Sequence, residues 1–171
     1  MSLDIQKYLY RIGYKTKPKV SLDCLAHLQA CHQLTVPFEN LEVFVKRKKL
    51  LKVDVLYERI VLEHRGGWCC ELNGLFAWLL RQIGFEVKLV SCSHYNVEKD
   101  VYDETFDHMA IVVNLEEADY LVDVGYGFAN QQIQPIQICT DKVYEEVNCD
   151  VRFHYPFSSC SFKRSVRENI L

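Results

Sequence analysis

Several features that would take the chain out of the ordinary globular class are missing. No apolar stretch approaches the ~20 residues a helix needs to span a bilayer. The opening Met-Ser-Leu-Asp-Ile-Gln-Lys has neither the basic nor the apolar segment of a secretory leader, so a soluble, cytoplasmic protein is expected. Neither sign of charge dominates: 20 Lys and Arg stand against 23 Asp and Glu. That balance argues against nucleic-acid and membrane partners. The one dense basic run, Lys46 to Lys49, is short enough to be solvated surface. No internal repeat or low-complexity tract interrupts the chain. The eight cysteines, at 24, 31, 69, 70, 92, 139, 149 and 160, include no C-x-x-C pair, and the six histidines are scattered. Mostly buried thiols and no metal are therefore expected. What is present is 49% hydrophobic residues in a chain of 171, enough for a real core in one ordinary domain or two small ones.

The hydrophobic period changes near residue 85. Before it the spacing is helical. Ile5, Tyr8, Leu9 and Ile12 share a face, with Ser2 placed to cap and Gly13 to end the segment. Ser21 opens a second helix through Leu22, Leu25, Ala26 and Leu28, and Pro37 forces the chain out of it. Residues 54–63 repeat the pattern up to the Arg65-Gly66-Gly67 break. From Cys70 to Ile83, Leu72, Leu75, Phe76, Leu79, Leu80 and Ile83 make the clearest helix, with Gly84 at its C-cap. After Gly84 the period is two: Phe85, Val87 and Leu89, then Met109, Ile111 and Val113, then Tyr120-Leu-Val-Asp-Val ending at Gly125. Helices followed by strands predict an α+β protein, a helical bundle at 1–84 beside an antiparallel sheet or barrel at 85–136. The link from His94 to Phe106 reads as an exposed loop, and 137–171 as a divergent tail prone to disorder.

Chemistry concentrates on three residues. Cys69 follows Gly66-Gly67-Trp68 at the entry of the strongest helix. Unpaired amides and the positive end of the helix dipole favour a thiolate there, and the same amides can receive an oxyanion. Cys70 competes for the role, but it is one step further round the helix and reads as packing. A thiol nucleophile needs a base and an orienter. His108 stands at the lip of the strand His-Met-Ala-Ile-Val-Val. Asp123 interrupts an apolar strand, where an unpaired carboxylate is costly and a partner such as His108 removes the cost. His94 is the rival base. This Cys, His, Asp chain order also fits papain-like and transglutaminase-like thiol enzymes.

The run Arg65-Gly66-Gly67-Trp68-Cys69-Cys70-Glu71-Leu72-Asn73, with its helix and Gly84-Phe85, resembles the nucleophile signature of arylamine N-acetyltransferases. Arg11-Ile-Gly-Tyr14, Val36-Pro-Phe-Glu-Asn-Leu41, His108 before its apolar strand, and Tyr120-Leu-Val-Asp-Val-Gly125 match at corresponding intervals. The resemblance implies a cysteine-protease-like core in which Cys69 is acetylated by acetyl coenzyme A (acetyl-CoA) and His108 and Asp123 complete a triad. The acetyl group then passes to an arylamine, arylhydrazine or N-hydroxyarylamine with ping-pong kinetics. It further implies an ion pair of Glu39 with Arg65 bracing the nucleophile loop, Phe38, Asp107 and His108 beside the acceptor, and Glu104 and Thr105 in the loop that meets coenzyme A. No metal is implied, and a monomer is expected. Acidic Glu104 departs from the small residues usual there. The resemblance covers roughly residues 3 to 136, short of a third, lid-like domain, so weak donor binding is expected. A non-catalytic binding or decoy protein is the alternative reading.

Overall fold

Local sequence chemistry accounts for most element ends. The computed structural model describes residues 3–44, 50–96, 99, 101–102, 108–127 and 133–139, with the strand backbones at 143–146, 149–154 and 159–164. Helix α1, Ile5–Arg11, is capped by Asp4, whose Oδ1 accepts from the Gln6 amide at 2.8 Å. Ser2, expected in that role, lies outside the described residues. Helix α2, Leu22–Thr35, starts at Ser21, whose hydroxyl accepts from the Cys24 amide, and stops before Pro37. A short α3, Leu41–Phe44, and α4, Val53–Tyr57, come next, and α4 runs into a π-helical turn at Glu58–Leu62. Helix α5, Cys69–Ile83, ends at Gly84 in the left-handed conformation.

The strands are β1 (Glu86–Asn96), β2 (Val101–Tyr102), β3 (His108–Leu115), β4 (Ala118–Val122), β5 (Ile136–Gln137), β6 (Val143–Glu146), β7 (Cys149–His154) and β8 (Ser159–Arg164). They form one sheet in the order β5-β4-β3-β1-β8-β7-β6, with β2 paired to the end of β1. Every pairing is antiparallel except β1 with β8. The fold is thus α+β as expected, with two differences. The segment 137–171 is not simply a tail, since it supplies β6, β7 and β8, and in β7 Cys149, Val151 and Phe153 alternate with Asp150, Arg152 and His154 in the period of a strand. And β1 extends through His94 into the stretch read as loop. Cys92 also departs from the expectation of thiols, being disulfide-bonded. Its neighbour in the β1–β8 register is Cys160, a juxtaposition that no spacing of cysteines announces.

Helix α5 lies between the sheet and the other helices, touching β1 and β3 on one side and α1 and α4 on the other. Leu72, Leu75, Phe76, Leu79 and Leu80 are fully buried there, each removal from water stabilising by about 1.5–3 kcal/mol. The sheet beneath it sets two polar residues within reach of each other. The β3–β4 hairpin turns in two residues, Glu116 and Glu117, both at positive φ, and pairs Ile111 with Val122. Carried one step further, that register sets Asp123 beside Ala110, diagonal to His108 on the same face of the sheet.

Candidate active site

The residues singled out by chemical type converge where the N-terminus of α5 meets the first residue of β3 and the end of β4. Cys69, His108 and Asp123 are buried. Asp123 Oδ2 lies 2.6 Å from His108 Nε2. The His108 ring also hydrogen-bonds the Cys69 side chain. Tyr126 sets its ring edge-on to His108, with centroids 5.4 Å apart.

Electrostatics follow from these contacts. Burial alone would push the His108 pKa down, but the Asp123 carboxylate, by charge and by hydrogen bond, carries it up to about 10. The Cys69 thiol is held down to about 5 by the Cys70 side chain beside it and then by His108, against the opposing effect of burial. Cys70 moves the other way, well above its ordinary value, chiefly because of Cys69. The arrangement is a thiolate–imidazolium pair with a carboxylate behind it.

Asp123 is fixed from several sides. Its Oδ1 accepts from Asn73 Nδ2 at 2.9 Å and from the Gly125 amide at 2.8 Å. Its backbone carbonyl accepts from Gln33 Nε2 at 2.7 Å and Gln29 Nε2 at 3.4 Å, both on α2. Asn73 also donates to the Met109 carbonyl at 2.7 Å and accepts from the Val124 amide at 3.0 Å. One side chain on α5 thus ties together the backbones that carry His108 and Asp123. Gly125 permits the closeness, because a Cβ there would fall 2.9 Å from Cys69 Cα.

The loop before Cys69 is braced twice. Glu39 and Arg65 form an ion pair, and Glu39 Oε2 also accepts from the Gly66 amide at 3.2 Å. Residues 37–39 run beside this loop, with the Glu39 amide donating to the Gly67 carbonyl at 2.8 Å. A side chain on Gly66 would strike the Pro37 carbonyl oxygen at 2.2 Å. The second brace lies beyond the sequence motifs. Arg59, in the π-helical turn, binds Glu71 with Nη1 at 2.5 Å and Nη2 at 3.3 Å, both side chains being buried, and approaches Glu42 at 3.5 Å. Glu71 in turn accepts from the Trp68 amide at 3.2 Å, fixing the first turn of α5.

Asn73 and Arg59 carry sequence signals of their own. Asn73 stands four residues after Cys69, on the same helical face, and Arg59 stands three after Leu56 on an otherwise apolar face. A polar residue at a core position needs a partner inside. Cys70 is not a core residue: it is half-buried, and its sulfur lies 3.9 Å from that of Cys69. Phe38 is partly exposed and lies against Gly127 beside the site. Glu104, Thr105, Asp107 and the side chain of His94 lie outside the described residues, as does the basic run at 46–49. Among the described residues no group of three or more His, Cys, Asp or Glu is set to hold a metal ion, and no helix is long and apolar enough to cross a membrane.

Comparison with known proteins extends the likeness beyond residue 136, where the motifs fade: an N-acetyltransferase family model matches residues 21–166. Arylamine N-acetyltransferase 1 of Bos taurus is 33% identical over 151 residues, 88% of this chain and 52% of that protein. The solved arylamine N-acetyltransferase of Salmonella typhimurium superposes with a TM-score of 0.81 at 25% identity, over 98% of this chain and 61% of the other. That of Bacillus cereus, which has a Cys-His-Glu catalytic triad, superposes with a TM-score of 0.76 at 30% identity, over 90% and 60%. The chain spans about half the length of the curated relatives it matches.

Proposed function

Because the chain belongs to the arylamine N-acetyltransferase family, we propose that it transfers an acetyl group from acetyl-CoA to an arylamine nitrogen through a thioester at Cys69. The observation that carries this reading is the buried His108–Asp123 pair facing the Cys69 sulfur.

In the first half-reaction the Cys69 thiolate attacks the acetyl carbonyl and the oxyanion collects at the amides opening α5. The carbon–sulfur bond of the donor then breaks, and the departing coenzyme A thiolate takes its proton from the His108 imidazolium. His108 is left neutral and able to accept. In the second half-reaction the arylamine nitrogen attacks the thioester, its proton passes to His108, and Cys69 leaves as thiolate. Asp123 holds the ring in one orientation and favours its charged form. Glu39 and Arg65 hold the nucleophile loop, Phe38 and Asp107 meet the acceptor, and Glu104 and Thr105 meet the donor. The reading includes a cytoplasmic setting, in which the nucleophilic thiol stays reduced, and a monomer.

The test is intact-mass measurement after mixing with acetyl-CoA, followed by peptide mapping and a chase with an arylamine. One acetyl group on Cys69, discharged as the N-acetylarylamine, is the expected result. A folded protein that gains no acetyl group, either from acetyl-CoA or from the activated ester p-nitrophenyl acetate, would overturn the proposal. Acetylation at another cysteine would do the same.

A further inference from the structure

Two thiols, not one, meet at the entry of α5. The Cys69 and Cys70 sulfurs are 3.9 Å apart, within reach of a sulfur hydrogen bond. Cys70 is a free thiol, half-buried beside Cys69 at the entry of the helix. If Cys69 is ionised it has no proton to give, and the direction of the bond is settled: Cys70 donates. We infer that Cys70 is a second functional residue of this site, donating its S–H to the Cys69 sulfur whenever that sulfur carries charge. This rests on the reading of Cys69 as the nucleophile and adds to it.

Of the charged groups near the sulfur, His108 is a second donor to it and the others are engaged elsewhere. His108, from β3, meets Cys69 from the sheet side, with Asp123 behind it. Glu71, on the same helix, is turned away into its bonds with Arg59 and the Trp68 amide. Arg65 is committed to Glu39. The two thiols also divide their protons unequally: Cys69 is held down to about 5 while Cys70 is pushed up, as expected when two like acids share one site.

The donor matters most when the acyl-enzyme breaks down. As the arylamine nitrogen forms its bond to the acetyl carbon, the carbon–sulfur bond breaks and its electron pair stays on Cys69, while the amine proton goes to His108. A hydrogen bond from Cys70 to that sulfur makes it a better leaving group and the acetyl thioester a stronger donor toward a weakly basic amine. Cys70 keeps its own proton throughout.

The experiment compares Cys70→Ala and Cys70→Ser with the parent protein. The rate of Cys69 alkylation by iodoacetamide is followed against pH, without any acetyl donor, and melting curves confirm that each variant is folded. Cys70→Ala should raise the midpoint of the lower limb by about one pH unit. Cys70→Ser, whose hydroxyl still donates, should raise it less. Discharge of acetyl-Cys69, loaded from p-nitrophenyl acetate, to an arylamine should slow about threefold in Cys70→Ala. An unmoved midpoint in folded Cys70→Ala would overturn the inference while leaving Cys69 as nucleophile. Equal shifts in the Ala and Ser variants would overturn the donor role. A parent Cys69 no more reactive than an ordinary thiol would remove the nucleophile reading, and this inference with it.

Discussion

His32 and His108 are both buried histidines, 0% and 4% exposed, yet their surroundings send them in opposite directions. His32, on α2, lies between the rings of Tyr8 and Phe76, with centroids 6.0 and 5.1 Å away. Neither of its ring nitrogens has a hydrogen-bond partner among the described residues. Burial, with the nearby charge of Arg11 adding to it, takes its pKa down to about 3. His108 feels the same burial, but one carboxylate 2.6 Å away reverses the outcome, to about 10. Depth in the protein therefore does not decide the charge of a histidine here, and a partner does. The helical region keeps an imidazole neutral as core material, while the junction of helix and sheet keeps one charged.

The most damaging way to break this contrast is Asp123→Asn, which turns His108 toward the state of His32. An amide can still hydrogen-bond the ring, but it favours the wrong tautomer and cannot offset the charge. Acetyl transfer should fall about 10³- to 10⁴-fold in a protein that still folds, measured by steady-state kinetics with circular dichroism as control. Asn73→Ala comes next. It removes a donor from Asp123 Oδ1 and strands the Met109 carbonyl and the Val124 amide, so a loss of about 2–4 kcal/mol is expected in urea unfolding, together with most of the activity.

The core histidine provides a pH test. Its folded pKa lies below the unfolded value near 6.5, so the stability tied to its neutral form is present above about pH 6.5 and is lost progressively as pH falls toward 3. Between neutral pH and pH 4 the loss amounts to about 3 kcal/mol, and His32→Leu should remove that part of the acid limb in unfolding curves taken at each pH. The contribution of His108 has the opposite sign, being complete below about pH 6.5 and lost as pH rises through about 10. The smallest effect is expected for Glu39→Gln, which weakens a partly exposed ion pair. Stability should change little, while transfer falls a few-fold because the loop before Cys69 loosens.

What the amino-acid order reveals depends on periodicity and on residue type at a turn. The apolar face of α5, its Gly84 cap and the shift to period two after residue 85 follow from local rules, and so does the pairing of a costly Asp123 with His108. The second brace does not emerge, because Arg59 has to be noticed as a charge on an apolar face and then matched with Glu71 across a π-helical turn that shifts the helical register. Strand β7 is legible in the alternation of Cys149, Val151 and Phe153 with polar neighbours, whereas β6 is short and β8 is mixed. Cys70 reads as packing because helical position gives the direction of a side chain and not the distance between two neighbouring sulfurs.

What the site must do is keep Cys69 ionised at neutral pH, through Cys70 beside it and through His108 with Asp123 behind it. The pH dependence of Cys69 alkylation by iodoacetamide, read by peptide mapping, tests it most directly. Alkylation that is already fast at neutral pH, with a lower limb centred near 5, is the expected result. A rate that stays low at neutral pH and rises only above about pH 8, as for an ordinary thiol, would contradict it.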